Sequence, residues 1–378
     1  MISPALAIAG VALIFYVLIP GVGAFGVRRR WRLFRKRIIE ASLRVPVTYR
    51  LVRSLPRVAA AKGSPARFVG ALESIQGEHT AWVRGEDLTI AVDMSDSDVY
   101  LVAGSEPDRP TAPPTRTTWA RVGSLPEGVK ILVSGRLDTS EAHPVIRSDG
   151  IEPVLAVFYD GAERSLLRRS TWSGRQLNEY WNSVTPGALA GGSFALIILA
   201  YVLFQQPLSP VFGRLAIGLA SVPVLPLLPP GVALFYLYRV GWRRGRRLRA
   251  HRDVLRLPLR YFGGDERCTE LPTGEQYCRR ELAFSAVGEL VSRGLIVISP
   301  PVGRPSAWCT LFGRPGGEEL VQAGDPLCEW VAVKGDPEEA AAGCQRRARW
   351  YEIGSLIVLA AGLFANFALL MVLLGYLI

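Results

Sequence analysis

The chain has 378 residues, 44 basic and 33 acidic side chains, a net charge of +11 and a mean hydropathy of +0.22. That hydropathy argues against an ordinary soluble protein, and the length allows two or three domains. The basic excess alone would suit a nucleic-acid binder, but residues 64–180 hold 12 basic against 17 acidic side chains and residues 261–343 hold 7 against 13, so both long polar stretches are acidic and a broad phosphate-binding face is disfavoured.

In chain order, residues 1–27 come first. Positions 2–27 carry no Asp, Glu, Lys or Arg and supply the roughly 20 residues that cross a bilayer as a helix. The segment lacks a basic leader and a small-x-small cleavage site, so it reads as an uncleaved anchor rather than a signal peptide. Residues 28–62 form a basic linker that opens RRRWRLFRKR, with Arg28, Arg29 and Arg30 at the membrane edge. Trp31, Phe34, Ile38, Ile39 and Leu43 recur there at separations of three to five, which predicts an amphipathic helix lying on anionic lipid headgroups.

From 63 to 170 the pattern becomes short period-two runs (ARFVGAL, TAWVRG, LTIAVD, DVYLVAG, VKILVSGRL, PVLAVFYDG) separated by turn residues. These predict a β-rich domain of five to seven strands, either a sandwich or a small barrel of the oligonucleotide-binding (OB) type. The loop PDRPTAPPTRTTWARV is too rich in proline for a core strand. Trp82, Tyr100, Phe158 and Tyr159 fall within the runs and read as core or half-buried sheet residues rather than stacking platforms. Residues 171–185 are an interfacial neck; Arg168 and Arg169 just before it, with Trp172, Arg175, Tyr180 and Trp181 within it, are expected to meet the membrane interface as a collar.

Residues 186–238 predict a transmembrane hairpin: a span at 187–206, the uncharged turn QQPLSP, and a span at 215–238. Pro223, Pro226, Pro229 and Pro230 prevent the second from being one ideal helix. Gly187 and Gly191 form a small-xxx-small pair, overlapped by Ala188 and Gly192, that would let helices approach closely within the chain or in a homo-oligomer. A second basic neck at 239–253 contains Arg243, Arg244, Arg246 and Arg247, with Asp253 its lone acid. Residues 254–336 predict a second β-rich domain. A helical neck at 337–352 with an acidic start and a basic finish leads into a last span, 353–378, where Asn366 is placed to bridge to a neighbouring helix. The expectation is therefore a polytopic α-helical membrane protein of four transmembrane helices with two β-rich domains. Basic flanks predict that both large loops are cytoplasmic and both termini outside, in a bacterial inner membrane.

Chemistry is sparse. No HExxH, G-x-S-x-G, CxxC or phosphate-loop pattern is present, and no metal or cofactor is implied. Asp265, Glu266, Cys268, Glu275 and Cys278 gather in two acidic turns and form the weak catalytic cluster. All five cysteines, Cys268, Cys278, Cys309, Cys328 and Cys344, fall in the second large loop and are expected to be free thiols. The leading expectation is a non-enzymatic scaffold that binds a protein partner at the membrane surface. The alternatives are a membrane enzyme acting on an envelope or lipid-linked substrate, favoured if His79, His143 or the cysteine-containing turns converge in a pocket, and an oligomeric channel or transporter component.

Overall fold

A computed structural model of the chain describes residues 3–54, 63–103, 113–122, 125–140, 143–175, 181–206, 210–264, 266–302, 306–317 and 319–377. Six helices organise it: α1 (Pro4–Leu43), α2 (Leu166–Gly174), α3 (Thr185–Phe204), α4 (Pro210–Ala220), α5 (Gly231–Leu255) and α6 (Pro337–Leu377). The chain divides into two compact units, one of Met1–Leu33, Leu177–Leu248 and Gln345–Ile378, the other of Phe34–Gln176 and Arg249–Cys344.

The first unit is helical. Among the described residues three helices, α1, α3 and α6, are long and apolar enough to cross a membrane. The expected fourth span, 215–238, is not one helix, as its prolines predict: its residues are divided among α4, a 3-10 turn at Leu225–Leu227 and α5. Proline removes a helical N–H and clashes with the preceding turn, so this segment cannot close a regular ladder. The break exposes backbone carbonyls, which have to find donors in an apolar setting. Asn366 on α6 donates from Nδ2 to Leu225 O (2.6 Å) and Leu228 O (2.8 Å), and Ser193 on α3 donates to Ala220 O (2.7 Å). Ile8, Leu196, Ala200, Leu203, Ala216 and Ala220 form the buried core where α1, α3 and α4 meet.

The glycines at the α5–α6 seam are set by close approach. A Cβ at Gly241 would lie 2.4 Å from Ser355 Oγ, one at Gly245 3.1 Å from Glu352 Cγ, and one at Gly231 2.2 Å from Asn366 Nδ2. On α3 the tight position is Gly192, where a Cβ would meet Phe15 and Tyr16 at 2.7 Å; Gly191 makes a looser contact with Phe15 at 3.3 Å. Gly187 faces open space.

The second unit contains both β systems. The nine-stranded sheet has the order β1 (Val45–Pro46), β2 (Ser64–Gln76), β3 (Thr80–Arg84), β4 (Thr89–Asp93), β8 (Val145–Arg147), β7 (Lys130–Asp138), β9 (Val154–Tyr159), β5 (Ser97–Val102), β6 (Thr115–Thr117). An additional β2–β7 pairing closes β2, β3, β4, β8 and β7 into a five-stranded barrel. A register shift between Leu72 and Ser74 bends β2 so that its first part pairs with β7 and its last part with β3. Phe68, Val83, Ile90, Val92, Ile131, Val133 and Ile146 fill the interior. Every residue of β9 is buried, as befits a strand flanked by β7 and β5. Of the described residues of the proline-rich loop, Thr115–Thr117 form the edge strand β6, so none is a core strand, while the short helix Trp119–Val122 that follows buries Trp119 and Val122 in the barrel core.

The open six-stranded sheet follows the order β10 (Cys268–Glu270), β11 (Gln276–Ala283), β13 (Trp308–Gly316), β15 (Val331–Lys334), β12 (Ile296–Ile298), with β14 (Glu319–Val321) on β13. After β11 a short helix, Val287–Ser292, sends Val287 and Leu290 into the core. In α1, Phe34, Ile38 and Ala41 are buried, and the Phe34 ring lies 4.4 Å from Tyr100 of β5. The amphipathic stripe is therefore correct as helix, but Phe34 is covered by a β-sheet ring and not by lipid.

Candidate functional site

Three arginines join the two β systems within their common unit. Arg67 of β2 donates from Nε to Arg44 O at 2.9 Å and pairs through Nη2 with Asp325; the two paired side chains are 1% and 0% exposed. Asp325 is held in turn by Leu327 N, which donates to its Oδ1 at 3.0 Å. Arg260 donates to Ser42 Oγ (3.0 Å), Tyr261 Oη (2.7 Å) and Leu327 O (2.9 Å), with its guanidinium 4.2 Å from the Tyr261 ring centre. Arg168 of α2 lies 3.6 Å from Glu329, whose carboxyl is pushed up by burial against the opposing pull of Arg168 and Arg260.

This seam opens onto a cleft of about 740 Å³ whose floor includes Arg67 and Asp325. Phe68 and Val69 supply apolar wall. Arg84, Lys130 and Arg164 face Glu86, Asp87 and Glu163 around it, so the rim carries both signs of charge. Such a rim suits a polypeptide of mixed charge better than a polyanion.

A second cluster surrounds Asp253 near the end of α5. Arg35, Arg175 and Arg252 donate to its carboxylate at 2.8, 2.6 and 2.8 Å. Burial pushes this carboxyl up, but the three guanidiniums outweigh it and hold it below the ordinary range.

Several of the residues expected in the collar have partners within the protein. Arg169 is buried and donates to Ala103 O and Ala162 O, Arg168 and Arg175 pair with acids, and the Trp172 ring meets His251 edge-on at 4.5 Å. The reason is the packing of α2, which buries Leu166, Leu167, Ser170, Thr171, Ser173 and Gly174 as well. Trp181 is exposed, and Tyr180 lies outside the described residues. Arg29, Arg30, Arg243, Arg244 and Arg247 are exposed, Arg28 is half-buried and Arg246 is buried.

Four residues of the weak catalytic cluster are described. Cys268 and Cys278 are cross-strand partners joined by a disulfide, which corrects the expectation of thiols for this pair. They line a separate cleft of about 960 Å³ with Arg267, Arg280, Glu281 and Trp308. Glu275 instead accepts from Gly324 N (2.8 Å) and Arg314 (3.2 Å), Glu266 is exposed, and Asp265 lies outside the described residues. Cys309, Cys328 and Cys344 are buried and not disulfide-bonded; burial pushes the Cys328 thiol up to about 12, so it stays protonated at neutral pH. His143 meets Trp82 edge-on at 5.5 Å, and His79 lies 3.8 Å from Glu78. Among the described residues no group of three His, Cys, Asp or Glu side chains could hold a metal ion.

No protein-family model matches the chain, and neither does any curated protein or any solved structure.

Proposed function

We propose that this integral membrane protein is a non-enzymatic scaffold that presents its β-rich body to the cytoplasm and docks a protein partner in the mixed-charge cleft above the Arg67–Asp325 pair. The single observation that carries the reading is that cleft. Its floor is a fully buried ion pair, and its rim carries charges of both signs without a nucleophile and base in register. A rigid recess of this kind recognises shape and charge, the requirements of a docking site.

The orientation rests on the arginine-rich flanks of α1 and α5, which favour the cytoplasmic side, and we assign the protein to a bacterial inner membrane with both termini outside. We read the barrel as OB-like, because its first strand lies between its second and fourth and its third pairs in parallel with its fifth. Such barrels bind ligands on the second and third strands and the adjoining loops. Here Trp82 of that face is already engaged, donating to Gln76 Oε1 at 2.8 Å and packed on His143. That engagement and the acidic balance of the surrounding chain favour a protein over nucleic acid.

The test is a mild-detergent pull-down of the tagged full-length chain beside the double variant Glu86→Lys, Asp87→Lys, which inverts one side of the rim. A partner recovered with the natural chain and lost with the variant is the expected result. Equal recovery with both, or turnover of a lipid-linked substrate by the purified protein, contradicts the reading.

A further inference from the structure

The α5–α6 pair in the helical unit has a groove of about 490 Å³ along one flank. Its α6 side is a single helical stripe, Arg347, Trp350, Tyr351, Gly354 and Val358, and its α5 side is Leu237 and Gly241. The stripe from 347 to 358 is about 16 Å long at the rise of an α-helix. Gly241 is consumed by the helix contact, as its clash with Ser355 shows, but a Cβ at Gly354 would meet nothing within 4 Å. Gly354 therefore opens the groove rather than closing the seam. The Ser355 hydroxyl donates back to Tyr351 O at 2.5 Å, so it is already engaged within α6.

The two ends of the groove differ. Leu237, Gly354 and Val358 make one end apolar. At the other, Arg347 is exposed and makes no ion pair among the described residues, and Trp350 is 75% exposed. Arg346 and, on α5, Arg243 and Arg244 add exposed positive charge near the same end of the pair. Exposed tryptophan and arginine side by side mark headgroup depth.

We infer that this groove is a binding site for one anionic diacyl phospholipid, with an acyl chain laid along Leu237, Gly354 and Val358 and the phosphate on Arg347 beside the Trp350 indole. The charge at the Arg347 end selects an anionic over a zwitterionic headgroup, and the open space over Gly354 admits the chain. The site is independent of the docking cleft.

Native mass spectrometry of the full chain released from detergent, titrated with dioleoyl phosphatidylglycerol or dioleoyl phosphatidylcholine, tests it. The natural chain retains one phosphatidylglycerol in preference to phosphatidylcholine. Gly354→Leu fills the groove without displacing backbone and lowers retention roughly tenfold, the effect of losing about two buried methylenes. Arg347→Gln, at an exposed position, lowers the preference for phosphatidylglycerol about fivefold. Gly187→Leu, which also enters open space but on α3, leaves retention unchanged. Unaltered retention by Gly354→Leu, an equal loss with Gly187→Leu, or no headgroup preference in the natural chain would overturn the inference.

Discussion

Asp253 is one carboxylate shared by three guanidiniums, and its side chain is 6% exposed. Removing it leaves Arg35, Arg175 and Arg252 crowded without an anion, so Asp253→Asn should destabilise the β-rich unit by on the order of 3 kcal/mol at neutral pH. The pH dependence has a definite sign. A carboxyl held below its unfolded value near 3.9 contributes stability above that pH and loses it as pH falls through the lower folded value. Unfolding in detergent at a series of pH values should show a gap between the natural chain and Asp253→Asn that is full at pH 7 and closes in acid; a gap of constant size would contradict the linkage. In the amino-acid order Asp253 is visible only as the lone acid of a basic neck. Its partners Arg35 and Arg175 come from 218 and 78 residues away, a distance over which charge patterning carries no information.

Among the elements, α3 offers the cleanest contrast. Gly187→Leu projects into open space and should leave stability within about 0.5 kcal/mol, whereas Gly192→Leu drives a side chain into Phe15 and Tyr16 and should cost roughly 1–3 kcal/mol, read as the unfolding midpoint of the purified protein. Equal effects would mean that α1 and α3 do not pack through this face. Small-residue spacing finds candidate seams but not the rotation of the helix, which is why Gly187 and Gly191 read as well as Gly192; Gly241 and Gly245 of the α5–α6 seam have the same spacing, but they lie among the arginines of the basic neck and not in an apolar run. The strands at 64–76, 80–84, 89–93, 97–102, 130–138 and 154–159 are legible because each is a short β-like run between turn residues, the last of them continuously apolar. The three-residue strands β6 and β8 are too short to show a period. The helix through 31–43 is legible as well, but periodicity identifies an apolar face without saying what covers it; Tyr100 covers Phe34. The prolines of 223–230 announce the broken span, while the donors that satisfy its carbonyls, Ser193 and Asn366, lie on other helices.

At the scale of the whole molecule, the cleft above Arg67 and Asp325 is not legible in the sequence, because the two residues lie 258 positions apart and meet where both β systems pack in one unit. Two features bear oppositely on the compartment. The arginines flanking α1 and α5 favour a cytoplasmic body, in which thiols are kept reduced, whereas the Cys268–Cys278 bond is at home in an oxidising compartment. The functional proposal depends on the first, so the sidedness of the body is its most direct test. Single cysteines introduced at Glu86, on the cleft rim, and at Gln206, an exposed residue after α3, should be probed with a membrane-impermeant thiol reagent, with the natural chain as blank. The account predicts that Gln206→Cys reacts in intact cells and Glu86→Cys reacts only after the cells are broken; labelling of Glu86→Cys in intact cells would contradict it.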